Sequence, residues 1–212
     1  VDPTIFSIAI SSKGGNAACL AFLGFSFIVI GRKYEFSAVP MLVWVGVLLL
    51  VTSFIWTGHA QKAGPIAQGL LSIHLIGIAF WLGSFLPLRH MCSSPETESL
   101  YEIADRFGKL AIFYVSLLII SGLIFAYILM GDLSLLLSTV YGNVFLLKMT
   151  FVSSLLGLGA LNKFRLAPFI KFEPSIGAQR LKKSIQTEMF IALFILSFSS
   201  LLTTSTTLPM GG

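Results

Sequence analysis

Charge is what this chain has least of. Only 11% of its 212 residues are Asp, Glu, Lys or Arg, against 56% hydrophobic residues and a mean hydropathy of +0.91. A soluble domain carries about one charged residue in four, so a globule of this size could not cover itself in water. The chain belongs in lipid. Cysteine is scarce too: Cys19 and Cys92 are the two present, and the topology below puts them on opposite sides of the membrane, which excludes a disulfide between them. There is no nucleotide-binding motif, low-complexity tract or short-period repeat. The sequence starts at Val1 without a cleavable signal pattern, so a fragment or processed form is expected.

What the sequence has is apolar length. About 20 such residues cross a hydrocarbon core of about 30 Å, and six runs qualify: Gly14 to Gly31, Val39 to Thr57, Ile66 to Leu88, Leu110 to Met130, Asn143 to Asn162 and Met189 to Leu208. Each is continuously apolar, whereas barrel strands alternate and are shorter. The expected fold is all-α: one polytopic transmembrane helix bundle over residues 1–212. The segments from Arg89 to Lys109 and from Lys163 to Glu188 are expected as polar connections too short for a second domain. Small-residue pairs such as Ala79 with Gly83, and Ser153 with Gly157, suit close helix contacts.

Of the 14 Lys and Arg residues, all but Lys13, Lys62 and Lys148 fall after the first, third or fifth run. The positive-inside bias therefore makes those loops cytoplasmic. It also accounts for the net charge of +5 without a nucleic-acid partner.

Chemistry must come from the few polar groups inside these runs. His74 lies about five residues into the third, where a titratable side chain is costly and marks a functional candidate; a histidine bonded to a neighbouring carbonyl or hydroxyl is the plainer alternative. On a helix it shares a face with Gly77, Ile78 and Trp81. His59 stands at the outer end of the second run, fifteen positions earlier, and reads equally as an exposed loop residue. Together the two imidazoles make a candidate pair of ligands for copper, zinc or iron, and Met149 adds a soft thioether suited to Cu(I), although any single Met is more simply a packing residue. His90-Met91-Cys92 offers three more soft ligands, as an interface loop or a copper exit site. Lys148 is an ammonium inside the fifth run, Asn162 lies near its far end, and Glu188 is expected to form an ion pair with Arg180, Lys182 or Lys183.

At Gly58-His59-Ala60, His74 through Trp81-Leu82-Gly83, Leu86-Pro87-Leu88, Arg106-Phe107, Ser121-Gly122-Leu123, Thr139-Val140-Tyr141-Gly142, Leu146-Leu147-Lys148 and Leu161-Asn162-Lys163 the chain resembles the copper resistance protein D (CopD/PcoD) family. The resemblance runs from about Ser11 onward, with Gly83-Ser84 where the family often has two glycines. It implies a bacterial inner-membrane copper uptake protein of about eight spans, so one or two helices are expected to lie outside this sequence. It also implies a periplasmic CopC-type copper-binding partner, and it emphasises His59, His74, Trp81, Tyr141, Gly142, Lys148 and Asn162. On this reading the chain is no enzyme: copper is captured by His59 and His74 with Met149, along a pathway or scaffold of Trp81, Tyr141, Lys148 and Asn162. The alternative is a b-type haem oxidoreductase with His59 and His74 as axial ligands and Trp81 and Tyr141 lining the cofactor slot, by a distant similarity to membrane haem enzymes of the protoporphyrinogen oxidase type. A homo-oligomer is compatible with either.

Overall fold

The computed structural model describes residues 3–33, 39–56, 63–93, 97–131 and 134–204, and among them every regular element is helical. The order is α1 (Pro3–Ser11), α2 (Lys13–Lys33), α3 (Val39–Trp56), α4 (Pro65–Met91), α5 (Thr97–Met130), α6 (Leu135–Ser138), α7 (Val140–Leu161), a π-helical turn (Asn162–Leu166), α8 (Ala167–Phe169) and α9 (Pro174–Thr204). Among the described residues five helices are long and apolar enough to cross a membrane: Lys13–Gly31, Pro65–Met91, Ser99–Met130, Val140–Phe169 and Pro174–Leu202, with Met41–Trp56 a shorter apolar helix. The chain is a multi-pass membrane protein built as a helical bundle. It divides into two compact units, Val1–Ser72 and Ile73–Gly212, with the division inside α4.

In the first unit α2 and α3 pack through glycine. A Cβ on Gly24 would lie 2.7 Å from the carbonyl oxygen of Gly46, and one on Gly46 would lie 2.6 Å from that of Gly24. Neither position tolerates a side chain without the helices moving apart, which is how small residues let backbones approach where no hydrophobic force separates helix from lipid. At the head of α2 the Ser12 hydroxyl accepts the Gly15 N–H at 3.0 Å, satisfying a donor that the helix start leaves free.

The second unit has the chain's main core. Trp81, Phe85 and Leu88 of α4, Cys92 just beyond its end, Leu100 and Ala104 of α5, Leu155 of α7, Ala167, Ile170, and Ala178, Leu181, Ile185 and Ala192 of α9 form one buried cluster. Ring contacts fix the neighbours: Phe80 stacks on Tyr114 (4.2 Å) and Phe107 (5.3 Å), and Phe151 packs on Phe194 and Phe198. Phe113, Phe190 and Leu193 instead face outward, each more than 60% exposed, while Ser121, Ser184 and Glu188 are buried. Apolar outside with polar groups inside suits lipid. Hydroxyls along the spans return to their own helix carbonyls, as in Ser84 to Trp81 and Ser121 to Leu117 (2.6 Å each), which removes the cost of carrying them in lipid.

Two expectations are corrected. The connections expected as loops are largely helix: α5 begins at Thr97 and α9 at Pro174, well before the apolar runs at Leu110 and Met189. Hydropathy detects only the part of a helix in hydrocarbon, whereas segments rich in Leu, Ala, Glu, Gln and Lys remain good helix formers beyond it. The close contacts expected at Gly83 and Gly157 are absent, since a Cβ there would meet nothing within 4 Å. The tight approaches in this unit fall at Gly77, Gly108, Gly122, Gly142, Gly159 and Gly177.

Candidate functional site

His74 is held by α5. Its Nδ1 lies 2.9 Å from the carbonyl oxygen of Leu118, and because a carbonyl only accepts, Nδ1 carries the proton. That tautomer leaves the Nε2 lone pair free. The ring fits because α5 has a glycine beside it: a Cβ on Gly122 would come within 2.7 Å of His74 Cε1 and 2.8 Å of Nδ1. The Leu118 carbonyl is also approached by the buried Ser121 hydroxyl of its own helix at 3.2 Å, so it accepts from α5 and from α4 at once. From α7, the Lys148 ammonium is within electrostatic range of the imidazole. Met149 follows it and is rotated about 100° round the helix; it is half-buried. His59 lies outside the described residues, so a His59–His74 pair is not described either.

A second cluster lies about 10 Å further along α4, seven residues at 1.5 Å each. Trp81, 7% exposed, lies against α7 at Gly159, where a Cβ would be 3.1 Å from the indole. A turn on, Asn162 Nδ2 donates a short hydrogen bond to Glu188 Oε1 on α9, and the Trp81 indole reaches the same carboxyl group. Glu188 is 2% exposed. The other amide atom, Asn162 Oδ1, is buried without a partner. A cavity of about 210 Å³ opens here, lined among others by Trp81, Ser84, Gly108, Gly159, Asn162, Lys163, Ile185 and Glu188. The π-helical turn starts at Asn162; wide turns of this kind recur at functional positions.

Lys163 leads from this cavity to the end of the bundle where the basic residues gather. Its chain lies directly over Gly108, where a Cβ would collide with Lys163 Cδ. Its ammonium pairs with Asp105 Oδ1 at 2.9 Å, while Asp105 Oδ2 takes Lys109 at 2.7 Å. Two cations stack on rings nearby, Lys171 over Tyr101 and Arg180 over Phe169.

The structure therefore sorts the expected residues. Trp81 and Asn162 come together; His74 and Lys148 are near each other at a different level. Glu188 joins the first pair rather than the basic residues Arg180, Lys182 and Lys183, because its direction on α9 is toward α4 and α7. Tyr141 is half-buried in the first turn of α7, and Gly159, where Trp81 packs, is eighteen residues on, about 27 Å along that helix. Trp81 and Tyr141 thus do not line a common cofactor slot. In His90-Met91-Cys92 the three side chains follow one another around a helix end, and Cys92 is buried in the core. Burial pushes its thiol up to about 11, which keeps it protonated. Among the described residues no three His, Cys, Asp or Glu side chains form a metal-binding group.

Residues 101–202 match the family described as copper resistance protein D. That stretch is just under half of the chain, and over it the chain is similar to this family. The matched stretch contains Gly122, Tyr141, Lys148, Asn162, Lys163 and Glu188, so it covers the α5, α7 and α9 sides of both clusters, with His74 and Trp81 contributed from upstream. Copper transport protein CutJ of Bacillus subtilis (strain 168) is 29% identical over 158 residues, which cover 69% of this chain and 29% of that relative. The chain thus spans under a third of the relative's length. No solved structure matches it.

Proposed function

We propose that this membrane protein carries copper across a bacterial inner membrane, with His74 as a ligand on the entry side. The observation that carries this reading is the Nδ1 contact of His74 with Leu118 O: it orients the ring and leaves Nε2 as a neutral nitrogen donor inside the bundle, the form in which imidazole binds copper. The name of the CutJ relative supports copper as the cargo. His59, at the end of the preceding apolar run, and Met149 complete a two- or three-coordinate site, soft enough for Cu(I) and small enough to release the ion.

The distribution of Lys and Arg supports an orientation with the loops after the first, third and fifth spans in the cytoplasm. His74 then faces the periplasmic half, where a CopC-type protein delivers copper. Trp81, Asn162 and Glu188 form a second station nearer the cytoplasm. No nucleotide-binding segment is needed if the membrane potential or the donor drives flow.

The experiment is metal analysis of the protein purified in detergent and loaded with Cu(I). Bound copper falls in His74→Ala and in His59→Ala, in a protein without a Soret band. Unchanged copper content in both variants overturns the ligand assignment, and a Soret band lost in His74→Ala replaces copper with haem.

A further inference from the structure

We propose that Glu188, Asn162 and Trp81 form a proton-binding site, distinct from His74, in which the amide of Asn162 is matched to the protonated carboxyl group. The proposal does not rest on copper being the cargo.

Three observations carry it. Glu188 is a carboxyl group with 2% exposure in an apolar bundle, and among the described residues no cation forms an ion pair with it: its partners are the Asn162 amide and the Trp81 indole. An ionised carboxylate there is held by two neutral donors, which is a costly arrangement in a low dielectric. Second, Asn162 uses its Nδ2 on Glu188 Oε1 while its Oδ1, on the same amide, is buried with nothing to accept from. Adding a proton to the second carboxyl oxygen turns that oxygen into a donor, and the amide oxygen is the acceptor it lacks. A carboxylic acid and a primary amide pair through two hydrogen bonds, N–H to C=O and O–H to O=C, so one proton satisfies both the buried charge and the orphaned oxygen. Third, the group lines a cavity of about 210 Å³ that Lys163 also lines. That volume accommodates water, and a proton needs such a route.

The balance is simple. A carboxylate and one proton from water in the cavity give a neutral carboxyl group; no bond to carbon changes, and the local charge rises by one. The charged and titratable groups on the elements packed around Glu188 are few. Lys163 shares the cavity but is committed to Asp105, which also holds Lys109. On α4, Arg89 lies 3.2 Å from the Gln186 amide of α9 when that amide is turned to accept. Lys148 is the sole charged residue of α7 and is on the His74 side. Arg165 follows in the π-helical turn, Glu102 and Arg106 lie on the extension of α5, and Lys182 and Lys183 belong to α9 itself.

A membrane carboxyl group that changes charge is a means of linking ion movement to a proton gradient. A cation entering the cavity and a proton compete for the same oxygens.

The test is pH-difference infrared spectroscopy of the purified chain in detergent, without metal. The wild type gives a protonated-carboxyl C=O band that appears and disappears with pH and shifts in D2O. The band is lost in Glu188→Gln, and in Asn162→Leu it remains but moves, because the acid has lost its amide partner. Asn162→Leu keeps the proposal testable if Glu188→Gln fails to fold. A spectrum without a Glu188-dependent band, a band that does not shift in D2O, or a band unmoved by Asn162→Leu overturns the proposal. All three outcomes are independent of the copper-binding measurement on His74.

Discussion

The His74 ring lies against a glycine of α5: a Cβ on Gly122 would be 2.7 Å from His74 Cε1. Gly122 and Leu118, one turn apart, act as a socket, the first by leaving space and the second by accepting from Nδ1. Placing a side chain at Gly122 therefore moves the imidazole without touching it chemically. In Gly122→Val, bound copper falls nearly as far as in His74→Ala while the helix content is kept, at a packing cost of about 1–3 kcal/mol. Copper analysis together with circular dichroism checks this, and full copper occupancy in Gly122→Val would show that the ring is not held by this socket.

Lys148 offers the opposite prediction. Its ammonium is within electrostatic range of His74 and opposes a second cation there. Lys148→Met removes that opposition and adds a thioether, so Cu(I) is retained several-fold more tightly in competition with a chelator, while release to the far side slows in a vesicle flux assay. Weaker retention would make Lys148 a supporting residue rather than a repelling one.

Gly159 makes room for the Trp81 indole as Gly122 does for His74. Gly159→Leu should displace Trp81 from Glu188 and fill part of the cavity, changing the tryptophan emission of the folded protein. Emission identical to wild type would mean that the indole keeps its place.

Cys92 supplies the pH prediction. An unperturbed thiol titrates near 9, and burial pushes this one up to about 11. A group whose folded value is raised contributes stability that is complete below its unfolded value and lost as pH climbs through the folded one. Alkylation of Cys92 in the native protein is thus slow at neutral pH, and the protein loses stability as pH rises from about 9 to about 11. Mass spectrometry after brief thiol labelling measures the first part. Rapid labelling at neutral pH would show that the thiol is less buried than its packing among Leu88 and Leu100 indicates.

The bundle was legible in the sequence because continuous apolar length has only one solution in lipid. His74, Trp81 and Asn162 were legible because polar or amphipathic groups are rare in such runs. The carboxyl partner was harder. Glu188 stands beside Lys182 and Lys183 in sequence, and an ion pair is the economical expectation, yet a helix turns a residue by 100° per step. Its direction depends on the phase of α9 against α4 and α7, which is tertiary information. The same holds for the glycines: Gly83 and Gly157 have the right spacing and face open space, whereas Gly122 and Gly159 meet specific rings. A Glu directly at the start of an apolar run is the signal that a sequence reading has to follow.

The π-helical turn at Asn162–Leu166 gives this half of the bundle two working surfaces from one helix. A single extra residue in a turn displaces everything after it by about 100° relative to an unbroken α-helix. Upstream of the turn, α7 presents Gly159 to Trp81; downstream, Ala167 and Ile170 are rotated into the core against α9. The turn is a phase shifter, and its length sets which face each part shows. Removing one residue from it would restore helical continuity at the expense of both surfaces, because the upstream face and the downstream face could no longer be satisfied together.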